Sequence, residues 1–166
     1  PVGTRVAVPP ALDADEWVTP EGRAEIEAVL AAPGGTAAWQ MPRLTSFCGR
    51  FLRHGGWWPD HVTRLWRRGR ARFSDDLVHE RVLVEGPLAT LRQPLMHEGV
   101  RDMEEALAKM DGYSTAGARM LADRGRTASL GGALGHGVWS FIRTYVVRAG
   151  FLDGREGFLL AAANAE

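Results

Sequence analysis

Apolar positions along the chain fall into three regimes. Ile26, Val29 and Leu30 recur at helical spacing behind Thr19-Pro20-Glu21, which reads as an N-cap, a proline at the first helical position and an acidic first turn; "APGG" ends the segment. Ahead of it, "TRVAV" reads as a short strand that Pro9 and Pro10 stop. From residue 38 the texture becomes strand-like, with "AAWQMPRL", "HVTRLW", "RARF" and "ERVLVE" as short runs and Arg68-Gly69 as a tight turn joining two of them. From about residue 100 helical spacing returns in Val100, Met103, Leu107 and Met110, and again in Leu134, Val138, Phe141, Ile142, Tyr145 and Val146, with a glycine-rich loop between. The pattern predicts an α/β fold in three regions, 1–37, 38–99 and 100–166, with a small mixed or antiparallel sheet and a C-terminal helical layer. No internal repeat is visible.

Composition narrows the class. A chain of 166 residues, 45% apolar, supports one domain with a substantial core. Lysine plus arginine equals aspartate plus glutamate at 20 each, so no overall field draws the chain to nucleic acid or an anionic membrane, and any basic surface is local. The lone Cys48 reads as buried filler suited to a reducing cytosol. No signal-peptide pattern opens the sequence, and apolar runs such as "GFLLAAANA" fall short of the roughly 20 residues of a bilayer crossing. A cytoplasmic location is expected.

Candidate chemistry begins at "LDADEWVTPE". Asp13 and Asp15, two residues apart before a helix, can turn hard oxygen ligands toward one crevice and hold Mg²⁺ or Mn²⁺, with a diphosphate supplying further ligands; the same D-x-D is also the signature of an acidic turn. In "RHGGWWPDHVTRLWRRGRARF", Gly55 and Gly56 permit close approach, Trp57 and Trp58 offer flat faces for a sugar ring, and Asp60 can accept hydroxyl hydrogen bonds. Arg64, Arg67, Arg68, Arg70 and Arg72 form the one dense basic run, fit to meet phosphates, lipid or nucleic acid, or simply to be a solvated face. "SDDLVHERV" clusters Asp75, Asp76, His79 and Glu80. Glu80, beside Arg81 and ahead of "VLVE", is the better proton acceptor. His97 in "LMHEG" can contact a metal or a phosphate.

Taken in order, "LDADEWVTPE", "HGGWWPDHVTRLWRRGRARFSDDLVHERV", "LMHEGVRDMEEALAKMDGYST" and "FIRTYVVRAGFLDGREGFLLA" resemble the second half of bacterial family 2 glycosyltransferases of the lipopolysaccharide core biosynthesis type, over nearly all of residues 11 to 165. The resemblance implies an incomplete GT-A fold and an inverting, metal-dependent transfer of sugar from a nucleotide-sugar donor to a lipid-linked or core saccharide acceptor. It assigns Asp13 and Asp15 to the divalent ion and donor diphosphate, His97 to a third contact there, and Glu80 to the catalytic base. Trp57, Trp58, Asp60, Arg64 and His79 would border substrate. The family's nucleotide-binding half precedes its D-x-D, whereas only a dozen residues precede Asp13, too few for a β-α-β unit of roughly 30. The chain is therefore expected to be a fragment or natural truncation with weak or no activity.

The tail adds a partner expectation. Trp139, Phe141, Ile142, Tyr145, Val146 and Phe151, flanked by Arg143, Arg148 and Arg155, suit a helix lying on the inner face of the plasma membrane beside a lipid-linked acceptor, or equally one packed on the sheet. The alternative to an enzyme is a non-catalytic binding module that keeps the acceptor side of the fold. No nucleic-acid partner is expected.

Overall fold

The structure is a computed structural model that describes residues 12–74, 81–125, 127 and 129–165. The chain gathers into two compact units, Pro1–Leu44 with Pro59–His97, and Thr45–Trp58 with Glu98–Glu166. The architecture is mixed α/β.

In the first unit, strand β1 (Glu16–Val18) leads into helix α1 (Pro20–Ala31). Thr19 caps the helix as its sequence predicts, its Oγ1 accepting the Gly22 N–H at 3.1 Å. The face carrying Ile26, Val29 and Leu30 packs on Trp39, Met41, Leu65, Leu91 and Leu95, whose full burial contributes about 1.5–3 kcal/mol for each aliphatic side chain. The core strand is β2 (Ala38–Phe47), buried along nearly its whole length, as a strand with neighbours on both sides should be. Strand β4 (Asp60–Trp66) pairs with it antiparallel, from Arg43↔Asp60 to Ala38↔Trp66, and β7 (Leu88–Thr90) pairs with it parallel. Strand β8 (Leu95–Val100) lies beside β2 and pairs antiparallel with β1, setting Glu16 opposite His97. Strands β5 (Ala71–Phe73) and β6 (Val82–Val84) form a separate antiparallel hairpin.

In the second unit the end of β2 turns through Cys48 and Gly49, both at positive φ, into β3 (Arg50–Phe51). Helices α2 (Met103–Asp123), α3 (Leu130–Ile142) and α4 (Gly154–Ala163) follow, with a π turn at Arg143–Val147 and a 3-10 turn at Gly150–Asp153 before α4. The core is Phe47, Leu52, Val100, Ala106 and Leu160. Buried Asp153 ties the loop after β3 to this layer by accepting the backbone N–H groups of Arg53 and His54, and its Oδ1 lies 3.0 Å from His54 Nδ1.

Several expectations change. The turn at Arg68-Gly69 is present, with Gly69 at φ +76° and Arg70 N donating to Arg67 O, but it connects strands of different sheets, because β4 is taken up by β2. Of the two expected alternatives, mixed or antiparallel, the sheet is the mixed one, through the parallel β7. Val100 ends a strand instead of opening a helix: Leu95–His97 pair with β1, and the Val100 carbonyl accepts the Cys48 N–H at 2.7 Å. Cys48 is half-buried at a turn, not core filler, and burial with the nearby Asp102 and Glu156 charges pushes its thiol pKa up, away from reactive thiolate. "TRVAV" lies outside the described residues.

Candidate functional site

The acidic stretch begins as a turn. Glu16 N donates to Asp13 O at 3.0 Å, and Asp13 N lies 3.3 Å from Glu16 Oε2, so the chain folds back on itself before β1 starts. Register then brings distant residues to this turn. Arg64, on β4, sends one guanidinium nitrogen to Asp13 Oδ2 at 2.8 Å and to Glu16 Oε1 at 2.7 Å. Arg43, on β2, directs two nitrogens to Asp60 Oδ2 at 3.0 and 2.6 Å and a third to Glu16 Oε1 at 3.5 Å. His97 Nε2 on β8 stands 3.4 Å from Asp15 Oδ2.

The Glu16 side chain is fully buried, while those of Asp13 and Asp15 are 64% and 49% exposed. The cluster therefore has a dry floor and a wet rim. Four carboxylates face two guanidinium groups and one imidazole, an excess of two negative charges when His97 is neutral. Burial works against the Arg64 charge, yet the hydrogen bonds and charges of Glu16 and Asp13 outweigh it and raise its pKa above the ordinary arginine value. Its Nε is buried and has no hydrogen-bond partner among the described residues. Such a site can attract a cation at its exposed rim.

No family model matches the chain, and no solved structure matches it.

Five of the residues singled out in the sequence thus meet in one cluster: Asp13, Asp15, Asp60, Arg64 and His97. Asp60 and Arg64 serve there as members of an ion-pair network. Trp57 and Trp58 belong to the second unit and precede β4 without being in a strand. Trp57 stands edge-on to Phe47 at 5.7 Å, and Trp58 lies under the guanidinium of Arg53, 5.2 Å from its ring centre. His79 and Glu80 lie outside the described residues. Among the described residues, no three His, Cys, Asp or Glu side chains stand where they could hold a metal ion together.

Sequence reasoning passed over Glu16 and Arg43, the two residues at the centre of the network. A signal for Arg43 was present. It is the one charge within "AWQMPRLTSF", and a charge in a strand so apolar needs a partner. Glu16 was hidden by standing beside two more conspicuous acids.

Proposed function

We propose that the chain carries the metal and acceptor side of a glycosyltransferase, acting on a nucleotide-sugar donor and a lipid-linked or core saccharide acceptor. The observation that carries this reading is the pair of exposed carboxylates, Asp13 and Asp15, on an acidic rim where Arg64 and His97 hold them. The ordered resemblance of the four stretches supports it.

The donor set suits Mg²⁺ or Mn²⁺. Mg²⁺ is commonly held by one or two carboxylates together with substrate phosphates, so Asp13 and Asp15 suffice from the protein without a three-residue cage. When bound, the ion would neutralise charge developing on the departing diphosphate. Asp13 and Asp15 would hold it at the rim. Arg64, itself anchored by Glu16, would keep Asp13 in place, and His97 would do the same for Asp15. On the resemblance, Glu80 takes the proton of the acceptor hydroxyl as that oxygen bonds to the anomeric carbon and the bond from carbon to diphosphate oxygen breaks, with inversion. Helix α3 and the π turn would rest on the lipid surface that carries the acceptor.

The ion-pair network also suits a binding module, in which Asp13 and Asp15 serve only Arg64 and His97. Titrating the chain with Mn²⁺ in the presence of pyrophosphate, followed by the electron paramagnetic resonance of free Mn²⁺, separates the two. Glycosyl transfer expects saturable Mn²⁺ uptake that falls at least about tenfold in Asp13→Asn and Asp15→Asn, a loss of about 1.4 kcal/mol or more. Uptake that is the same in both variants as in the parent chain rules the reading out.

A further inference from the structure

Three arginines of the basic run, which the glycosyl-transfer reading leaves unused, have their own cavity. Arg67, Arg68 and Arg70, at the turn between β4 and β5, line a hollow of about 310 Å³ in the first unit, together with Gly35 and Ala37 ahead of and at the edge of β2 and Glu85-Gly86-Pro87 ahead of β7.

Its walls are tied together by backbone hydrogen bonds. Arg67 N donates to Ala37 O at 2.9 Å, Ala37 N to Pro87 O at 2.8 Å and Glu85 N to Arg70 O at 2.8 Å. Gly86 sits at φ +129°, and a Cβ there would come within 2.9 Å of Ala37 Cβ, so a side chain at this position would push the two walls apart. The hollow is therefore preorganised, and its residues come from three separate connections of the chain.

Its charge is not neutralised from within. Arg67 donates from Nε to Thr36 O at 2.6 Å and from one Nη to Gly34 O at 2.5 Å, which fixes the guanidinium but leaves its charge intact and three of its five N–H donors unused. Arg68 and Arg70 are exposed, and among the described residues no carboxylate forms an ion pair with any of the three arginines, Glu85 included. Three guanidinium groups around one small hollow repel one another, and the planar fork of arginine suits the oxygens of a phosphate.

We propose that this cavity is a binding site for a phosphomonoester, with the dianionic phosphate seated among Arg67, Arg68 and Arg70 and Glu85 facing the hydroxyl-bearing part of the ligand. A volume of about 310 Å³ is at the small end of ligand pockets, room for a phosphate and a sugar ring and too little for a polymer. The chain's balance of 20 basic and 20 acidic residues likewise disfavours a polynucleotide. The site stands apart from the glycosyl-transfer reading, and its test needs neither donor nor metal.

The experiment is a calorimetric titration of the full chain at low salt with glucose 6-phosphate and with inorganic phosphate, alongside flotation with vesicles containing phosphatidic acid. Circular dichroism checks that each variant is folded. Saturable binding of the sugar phosphate is expected. Arg68→Ala/Arg70→Ala should weaken it at least about tenfold, while Glu85→Gln, which removes the one opposing charge, should tighten it about threefold. Binding of glucose 6-phosphate assigns the site to soluble sugar phosphates. Binding confined to the vesicles and lost in the same double variant assigns it to a lipid phosphate. The proposal is overturned if neither glucose 6-phosphate nor the vesicles bind, if inorganic phosphate binds more tightly than the sugar phosphate, if Arg72→Ala, outside the cavity, costs as much as the double variant, or if a single-stranded oligonucleotide binds more tightly than the sugar phosphate.

Discussion

At the scale of the residue, Glu16 is the pivot of the first unit. Its carboxylate is fully buried and shared between Arg64 and Arg43, whose side chains are only 16% and 26% exposed. Removing one partner of a buried pair leaves the other charge uncompensated, which costs far more than the pair contributed. Glu16→Gln, close in shape, should therefore lower stability by on the order of 3 kcal/mol in urea unfolding, read as a shift of midpoint with unchanged slope. Asp13→Asn, which touches the same Arg64 from an exposed position, should cost under about 1 kcal/mol. Equal costs for the two would mean that the buried floor of the cluster has no special weight. Of these residues the sequence pointed to Asp13, Asp15, Asp60, Arg64 and His97 through their chemical type and local spacing. It did not point to Glu16 and Arg43, because their importance comes from burial and from partners 48 and 27 positions away.

At the scale of the element, the start of α1 is where local sequence and structure agree most closely, and α2 is capped in the same way one turn later than its apolar spacing suggests. α1 opens on Thr19-Pro20, and α2 opens on Asp102, whose side chain accepts the Glu105 N–H at 2.9 Å. Glu105 closes the arrangement by accepting the Arg101 N–H at 2.9 Å and pairing with Lys109 one turn on. The Arg101 backbone hydrogen bond first, then the Lys109 and Arg101 side chains, hold the Glu105 carboxyl down at about 2 against an ordinary 4.5. A carboxyl depressed in the folded state adds stability that is fully present above its unfolded value and is lost as pH falls through the folded one. The melting temperature of the parent chain should therefore exceed that of Glu105→Gln above pH 4.5, with the gap closing as the pH is lowered toward 2. A gap that is constant over that window would show that the carboxylate charge plays no part in the cap. Short strands were less legible. "EWV" and "LAT" are three residues each, too short for a period to show, and they exist because β8 and β2 offer them hydrogen bonds.

At the scale of the whole molecule, the second unit keeps an unusual amount of apolar surface. On α3 and the turn after it, Leu130, Leu134, Val138, Ile142 and Val146 follow one another at four-residue steps and are all exposed, with Trp139 beside them. From Arg124 to Leu152 the chain has four arginines and no aspartate or glutamate, a composition that matches an anionic lipid surface. Among the described residues no helix is long and apolar enough to cross a membrane, so the contact would lie in the plane of the interface. The chain should float with vesicles containing phosphatidylglycerol and much less with phosphatidylcholine alone, and Leu134→Glu/Val138→Glu should abolish flotation. If the parent chain stays in the soluble fraction with both, the lipid partner is to be dropped.

What the sequence by itself determined is whatever a few neighbouring residues can settle: the caps of α1 and α2, the helical and strand character of the longer runs, and the fold-back of the acidic stretch. These depend on backbone hydrogen bonds and side-chain spacing within about one turn of chain. Only the tertiary structure decided which strands pair, that β7 runs parallel to β2, that Asp13 meets Arg64 across 51 positions, and that Arg67, Arg68 and Arg70 border one cavity with residues from two other connections of the chain. Those outcomes follow from register. A strand shifted by one residue would turn Arg64 to the other face of the sheet and leave buried Glu16 with only the longer contact to Arg43.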